Sequence, residues 1–323
     1  MKRKKRFLDN SQLSTLPVMI DAILLIAFGG PDKMDDVRPF LANVLKGRPV
    51  PPQRLEEVVH HYELFNGHSP LNEITFRQAA ALQALLAQEG PRLPVYVGMR
   101  NWHPYFHETL EQMSRDGVKR ALGFILSAQQ SEAGWERYQE NIAAAREQLG
   151  PSAPVIDYLP EWHAHPRFIA VQVELTQHAF AQLPPDRRAH ATLLFTAHSV
   201  PLAMPGTPRY VEQIREGARL VAEHLGHARW SVVYQSRSGD PRTPWLEPDI
   251  GAALPRLAAD GVRDVVVVPI GFVCDHIEVL YDLDTEATRI AVACGVNLVR
   301  AKTVNDHLTF VRMMASVVRE VVG

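Results

Sequence analysis

Two segments of the chain place groups that bind protons or metal ions shortly after runs of apolar residues. His198 follows the apolar run 191–195. His276 and Glu278 follow a second apolar run, 265–269. In an open parallel sheet, the carboxyl ends of the strands form the edge where ligands bind. A histidine and a carboxylate that meet at such an edge can bind a divalent cation or accept protons from a substrate.

Acidic residues continue the second segment at helical spacing. Glu278, Asp282 and Glu286 lie four residues apart, so a helix would present all three on one face. One interpretation is a solvated acidic face. The other is a buried line of carboxylates, which repel one another and need a cation or raised pKa values, and such a line suits a path for metal ions or protons. Asp275 and His276 stand where capping of this helix is expected.

Further candidates for ligand contact are an aromatic cluster and two basic residues. Asn101 and Trp102 begin the cluster 101–107, which either packs in the core or flanks a flat aromatic ligand. Lys46 and Arg48 lie in a predicted loop and become relevant only if the ligand carries carboxylates. The sequence contains no dinucleotide-binding glycine fingerprint, no P-loop and no nucleophile elbow, so a nucleotide site or a serine hydrolase is not predicted.

The composition is that of an ordinary soluble globular protein. Hydrophobic residues make up 46% and charged residues 22%, and the net charge is -2, so no general attraction to nucleic acid follows. We expect residues 1–20 to form a solvated tail, and no apolar run is long enough to predict a transmembrane anchor. Cys274 and Cys294 cannot supply the four thiolates of an iron–sulfur cluster, and a reducing cytoplasm is the simplest interpretation.

The alternation of apolar runs with amphipathic stretches predicts a parallel α/β sheet. The pattern begins at the apolar run 22–28 and restarts after residue 185, where 193–201 is similar to 24–31 and 296–317 is similar to 155–172. We therefore predict two similar halves, 21–185 and 186–323, that form a ligand cleft between them. The C-terminal helix could pack back on the first half. The other predicted strands are 95–100, 121–126, 155–159, 231–237 and 265–269, and the predicted helices are 76–87, 106–114, 138–148 and 167–181.

Several motifs resemble those of the ferrochelatase family over nearly the whole length of the chain. They are AFGGP at 27–31, GHSPL at 67–71, GMRNWHP at 98–104, TAHSVP at 196–201, YQSR at 234–237 and PIGFVCDHIEVLYD at 269–282. The motifs that carry His198 and Glu278 are highly specific. The resemblance implies an α/β fold of two Rossmann-like lobes, each with a four-stranded parallel sheet flanked by helices, and a porphyrin cleft between the lobes. It also implies a lyase-class chelatase that inserts Fe2+ into a porphyrin in haem biosynthesis.

The resemblance further implies roles for particular residues. It places His198 and Glu278 opposite each other across the cleft as catalytic and metal-binding residues. It makes Asp282 and Glu286 further metal-binding residues on an unusually wound helix that leads outward. Fe2+ is then a substrate, no additional cofactor is required, and no iron–sulfur cluster is expected. The expected substrate-binding residues are Phe28, Lys46, Arg48, Ser69, Arg100, Asn101 and Trp102.

Departures from the family pattern bear on the porphyrin. Phe28 stands where some soluble members have a tyrosine that can touch the metal, so this contact is lost. The run 100–104 is more similar to actinobacterial members, which tend to use coproporphyrin III. The four carboxylates of that porphyrin would give Lys46, Arg48 and Ser69 groups to bind. Coproporphyrin III is therefore favoured over protoporphyrin IX.

Two alternatives stay open. A related chelatase would insert cobalt or nickel into another tetrapyrrole, but such chelatases lack the motif at 275–282. A non-catalytic haem or metal carrier on the same fold is the other, and the presence of both His198 and Glu278 argues against it. The sequence does not determine the oligomeric state.

Overall fold

Eight parallel strands form two separate four-stranded sheets in the computed structural model, which describes residues 19–46, 50–238 and 242–322. The strand order is β2-β1-β3-β4 in the first sheet and β6-β5-β7-β8 in the second. The two orders are the same when counted from the start of each half, so the predicted repetition of the pattern corresponds to a repeated topology. The strands are β1 (Ala22–Ala27), β2 (Val95–Met99), β3 (Arg120–Ile125), β4 (Val155–Tyr158), β5 (Thr192–His198), β6 (Trp230–Gln235), β7 (Asp264–Val268) and β8 (Asn297–Arg300).

Helices cover both faces of each sheet, and the predicted fold class is confirmed. The described ranges also contain π-helical segments at Glu132–Glu136 and Leu280–Ala287, and 3₁₀ turns at Gly150–Ser152 and Arg188–His190. The α-helices are α1 (Met34–Leu45), α2 (Pro52–Glu63), α3 (Leu71–Glu89), α4 (Phe106–Arg115), α5 (Arg137–Leu149), α6 (Pro166–Ala181), α7 (Thr207–Leu225), α8 (Ile250–Ala259), α9 (Ile277–Val279), α10 (Thr288–Ala293) and α11 (Leu308–Val322).

The continuous apolar runs follow from burial on both faces of the sheets. Alternate residues of a strand point to opposite faces. In β1, Ile23 and Leu25 pack in the central core, whereas Leu24 and Ile26 pack in the cluster formed with α4 and α5. Both faces therefore require apolar side chains, which is the pattern expected of a covered parallel sheet.

The last helix of each half packs on the other half. Helix α6 packs against α7 and against strands β7 and β8 of the second sheet. Helix α11 packs against α3 of the first half and against α6. The two halves therefore share one core, and a division of the chain at residue 185 remains a proposal.

Helices α1 and α2 pack against each other as a hairpin. Phe40 and Tyr62 on these helices pack together with Ile277, which belongs to the second half of the chain. The hairpin thus connects the two halves next to the segment that carries Glu278.

The sequence also predicted a solvated N-terminal tail and no transmembrane anchor. Of the predicted N-terminal tail, residues 1–18 lie outside the described ranges, and Ile20 packs against the central core. Within the described ranges, no helix combines the length and apolar character needed to cross a membrane.

Candidate active site

A cleft of about 590 Å³ opens at the carboxyl ends of the central strands of both sheets. Its lining includes Ala27 at the end of β1, Arg100 after β2, and Ser127 after β3. From the second half it includes His198 at the end of β5 and the segment 271–274 after β7. The volume lies within the range of about 300–1,000 Å³ that is typical of small-molecule sites.

His198 is the last residue of β5, whereas the sequence pattern placed it beyond the strand. Its Nδ1 is hydrogen-bonded to the backbone carbonyl of Ser199. A carbonyl oxygen only accepts, so Nδ1 carries the proton and Nε2 holds a lone pair in the neutral ring. The hydroxyl of Tyr210 donates to the carbonyl of His198 over 3.0 Å and anchors the backbone on the other side.

Glu278 lies on the single turn α9 and faces His198. The distance from His198 Nε2 to Glu278 Oε2 is 3.8 Å, which is longer than a hydrogen bond. Two ligand atoms that each stand about 2 Å from one divalent cation, as in zinc sites, are separated by roughly 3–4 Å. The pair can therefore share a metal ion or a proton between two acceptor atoms.

A glycine brings the two segments together. The N–H of Gly271 donates to the carbonyl of Thr196 over 3.0 Å. A Cβ atom at Gly271 would lie 2.5 Å from the Cβ of Ala197, so only glycine allows this approach. The backbone that carries His198 and the loop that leads to Glu278 are thus packed in direct contact.

The expectation that Asp275 or His276 caps the helix is wrong. His276 occupies the N-cap position of α9, but its side chain makes no capping bond. The carboxylate of Asp275 instead accepts from Arg300 Nη1 and Asn305 Nδ2, each over 3.0 Å. Arg300 also pairs with Asp284 on the π-helical segment. Asp275 therefore links this segment to β8 through its ion pair with Arg300, and this ion pair takes the place of a capping bond.

His276 itself lines the cleft beside the catalytic candidates. Burial lowers the pKa of His276, although the nearby charge of Glu278 acts in the opposite direction. The ring is therefore neutral at neutral pH. It adds no positive charge next to the pair of acceptor atoms.

The helix after Glu278 is unusually wound. The segment Leu280–Ala287 is π-helical, with hydrogen bonds from residue i to i+5, a form that occurs often at functional sites. Asp282 on this segment accepts a hydrogen bond from the hydroxyl of Ser236, which has a φ of 60°. Glu286 is exposed to solvent. The acidic line is therefore neither fully solvated nor fully buried, because only Asp282 is enclosed.

The pKa of Asp282 is raised to about 7, chiefly by burial and also by the charges of Glu278 and Glu286, while the hydrogen bond from the Ser236 hydroxyl acts in the opposite direction. At neutral pH both protonation states are then populated. A carboxyl group in this condition can take up and release protons without a large energetic cost.

We expect this pKa to appear in the pH dependence of stability. The folded pKa of Asp282 lies above the ordinary value of 3.8, so the folded state binds more protons between these values. Stability is therefore lost as the pH rises from about 4 to about 7. Asp282→Asn keeps a neutral acceptor for Ser236 and should gain roughly 2 kcal/mol relative to the wild type over this interval, after allowance for partial exposure. Urea unfolding at several pH values measures the difference.

The substitution Asp284→Asn is the matched control, since Asp284 lies on the same segment and is ion-paired with Arg300. Comparison of the two variants separates an effect specific to Asp282 from the loss of any carboxylate on this segment. A constant difference for Asp282→Asn between about pH 4 and about pH 7 would contradict the raised pKa.

The structure divides the predicted substrate-binding residues into groups. Phe28, Ser69 and Arg100 line the cleft. Lys46 ends α1, is exposed and does not line the cleft. Arg48 lies outside the described residues.

Asn101 and Trp102 lie behind the cleft wall. Asn101 is buried and donates from Nδ2 to the carbonyl of Phe28 over 3.2 Å. The ring of Trp102 meets the ring of Phe40 edge-on, with the centroids 6.4 Å apart. These side chains position the loop that carries Phe28.

Other residues of the cleft were not identified from the sequence. Tyr62 on α2 lines the wall near Glu278, and burial together with the charge of Glu278 raises its pKa, so the phenol stays neutral. Glu132, Arg137 and Tyr138 line the cleft after β3. Their position after a central strand was the available signal, but the composition of 127–138 is too mixed to distinguish wall from surface.

The acidic and histidine side chains do not form a closed metal cage. Among the described residues, no group of three or more His, Cys, Asp or Glu side chains converges in a way that could hold a metal ion. His198 and Glu278 meet as a pair.

Comparisons with known proteins agree with these features. The ferrochelatase family model matches residues 20–322. A ferrochelatase from Rhodopirellula baltica is 45% identical over 96% of this chain and 88% of its own length. Coproporphyrin III ferrochelatases from Mycolicibacterium smegmatis and Streptomyces griseus are 44% and 46% identical, over 93% and 91% of this chain and 89% and 83% of their own lengths.

Solved structures show a similar fold. The structure of SirB from Bacillus subtilis with Fe3+ aligns with a TM-score of 0.60 and 12% identity, over 94% of this chain and 96% of that chain. The structure of the sirohydrochlorin chelatase SirB from Bacillus subtilis subspecies spizizenii in complex with cobalt aligns with a TM-score of 0.54 and 12% identity, over 94% of this chain and 95% of that chain. At this identity the likeness concerns the two-lobed architecture alone.

Proposed function

The chain belongs to the ferrochelatase family, and from this premise we propose that it inserts Fe2+ into coproporphyrin III in haem biosynthesis. Ferrochelatases are lyase-class metal chelatases, and this chain is an enzyme of that class. The observation that carries the proposal is the pair formed by His198 Nε2 and Glu278 Oε2, which face each other at 3.8 Å in the cleft between the lobes.

The chemistry of insertion requires a proton acceptor and a metal donor at the same place. One Fe2+ enters the ring and two pyrrole N–H protons leave, so the charge balances without a redox step. His198 Nε2 and Glu278 Oε2 are both acceptors, and each can hold either a proton or the incoming iron. We assign the pair as the catalytic and metal-binding unit, in which the metal ion and the protons exchange places.

Asp282 is assigned to the next step on the proton path. It lies four residues beyond Glu278 and is ionised in part at neutral pH because its pKa is raised to about 7. It can accept a proton that Glu278 releases, and the exposed Glu286 follows toward solvent. Both residues are also candidate transient ligands of Fe2+ on its way to the cleft.

The identity of the porphyrin is proposed on two grounds. Several relatives that are 43–46% identical are coproporphyrin III ferrochelatases. The guanidinium of Arg100 lines the cleft, and a guanidinium is suited to bind a carboxylate in bidentate fashion. Coproporphyrin III carries four such groups.

The proposed partners are the porphyrin and ferrous iron, both as substrates, and no further cofactor is assigned. A cytoplasmic location is part of the proposal, since Cys274 and Cys294 are free thiols, as in a reducing compartment. Burial raises the pKa of Cys274 to about 12, so this thiol stays protonated and does not act as a metal ligand.

Anaerobic insertion of Fe2+ by the purified protein tests the proposal. The change in porphyrin absorbance is followed with coproporphyrin III and protoporphyrin IX in parallel, and we expect faster turnover of coproporphyrin III. Faster turnover of protoporphyrin IX would contradict the assigned substrate.

Assays with the competing activities separate the alternatives. Turnover of a sirohydrochlorin with Co2+ or Ni2+, without turnover of either porphyrin, would make the protein a chelatase for another tetrapyrrole. Tight haem binding without insertion of any metal would make it a carrier.

A further inference from the structure

A π-helical turn at the rim of the cleft pairs two side chains that an α-helix would separate. Glu132–Glu136 is π-helical, and the backbone N–H of Arg137 donates to the carbonyl of Glu132. This bond from residue i+5 to residue i brings residues 132 and 137 to the same side of the turn. In an α-helix, with about 100° per residue, they would point about 140° apart. The winding therefore allows the two side chains to meet, and both residues line the cleft.

The two side chains form an ion pair in the lining of the cleft. Arg137 Nη2 lies 2.7 Å from Glu132 Oε1, and the two side chains are 25% and 32% exposed. A guanidinium has five N–H donors. Arg137 Nη2 donates to Glu132 Oε1, and both residues line the cleft, so this ion pair is within reach of a bound ligand.

A second guanidinium lies beside the same turn. Arg100 Nη1 donates to the carbonyl of Ala133 over 3.4 Å, and its guanidinium carbon stands 5.8 Å from the centre of the Tyr138 ring. Two cationic groups and one carboxylate are thus gathered at one end of the cleft. The net positive charge there favours an anionic group on the ligand.

We propose that Arg137 binds a carboxylate side chain of the porphyrin, and that Glu132 holds the guanidinium in place until this carboxylate replaces it. The inference rests on the proposed function, because it takes a carboxylated porphyrin as the ligand. Exchange of one carboxylate for another keeps the guanidinium paired at each stage. The carboxylate of Glu132 is partly solvated and can turn to water when it is released.

Substitution of each partner should shift porphyrin affinity in opposite directions. Arg137→Gln leaves the charge of Glu132 facing the porphyrin and should weaken the binding of coproporphyrin III by about tenfold or more, as expected for a lost charge-assisted hydrogen bond. Glu132→Gln frees Arg137 and should strengthen binding by roughly threefold. Quenching of tryptophan fluorescence by the porphyrin, without iron, measures both constants.

The tetramethyl ester of coproporphyrin III is the uncharged reference ligand, and its affinity should be the same in both variants and in the wild type. Arg219→Gln is the control, because Arg219 also forms an ion pair with a glutamate, Glu223 on α7, but this pair is more exposed and lies away from the cleft. Thermal unfolding of each variant shows whether the fold is kept.

Shifts in the same direction for both substitutions, or equal shifts for the acid and the ester, would overturn the inference and leave the pair a structural one. The binding constants do not depend on turnover. If the wild-type protein inserts Fe2+ but the two substitutions do not shift the affinity in opposite directions, the inference alone is refuted. If the substitutions shift the affinity for coproporphyrin III in opposite directions but the wild-type protein never inserts iron, the proposed function alone is refuted.

Discussion

Replacing His198 with alanine is expected to reduce the rate of Fe2+ insertion by at least ~10²-fold, the usual contribution of a positioned acid–base group. The ring is held by the bond from Nδ1 to the Ser199 carbonyl, so Nε2 presents its lone pair to the cleft in a fixed direction. Glu278 Oε2 lies 3.8 Å from this nitrogen, so the loss of the imidazole removes one of the two facing acceptors. Anaerobic initial rates with saturating porphyrin measure the change in kcat.

A matched control for this substitution exists on α7. His224 also bonds through Nδ1 to a backbone carbonyl, that of Leu220, but it is exposed and lies away from the cleft. His224→Ala should keep the wild-type rate. A near-normal rate for His198→Ala would show that the imidazole neither accepts protons nor receives iron.

The substitution Glu278→Gln is expected to have an effect of similar size, again ~10²-fold or more in kcat. It preserves the shape of the side chain and removes the negative charge that attracts Fe2+ and holds released protons. Glu278→Asp keeps the charge but withdraws it by one methylene from His198, so we expect an intermediate rate. The rates of the wild type, Glu278→Gln and Glu278→Asp, each measured at saturating and at limiting Fe2+, separate the contribution of the charge from that of its distance to His198.

The control for Glu278 is Glu111→Gln, which removes an exposed carboxylate on α4 that pairs with Arg115. It should leave both kcat and the KM for Fe2+ unchanged. Equal rates for Glu278→Gln and the wild type would contradict the assignment of a charged partner to His198. A loss confined to the KM for Fe2+ would assign Glu278 to metal capture and leave proton transfer to His198.

The fold was predictable because its signals are local. Buried strands on covered sheets are continuous apolar runs, and β1 and β7 are buried along their whole length. The restart of the pattern after residue 185 corresponds to the repeated strand order. Each of these patterns is contained in a few consecutive residues, so it can be recognised without knowing which residues pack against the segment.

The α1–α2 hairpin was not predicted because its sequence signals conflict. Pro39 lies inside α1, and Pro51 and Pro52 begin α2, so the segment reads as a series of breaks. Its helices are stabilised by packing of Phe40 and Tyr62 against Ile277, which is more than 200 residues away in the sequence. Local propensity does not contain this contact.

The sequence by itself determined which residue types stand at the ends of the central strands, and with them the histidine and carboxylate of the site. It did not determine their surroundings. The acidic spacing of four residues suits an α-helix, but Leu280–Ala287 is π-helical and encloses only Asp282. Trp102 belongs to one of the motifs that resemble the ferrochelatase family, yet it lies behind the wall of the cleft and supports the loop of Phe28.

Only the tertiary structure decided which charges face one another. The pairing of Glu132 with Arg137 depends on a π-helical turn, and the spacing of five residues carries no signal in an α-helical pattern. The approach of His198 to Glu278 depends on the contact of Gly271 with Ala197, which joins segments 74 residues apart. The direction in which a side chain points, and the degree to which it is buried, depend on the residues that pack against it. For this site those residues come from both halves of the chain.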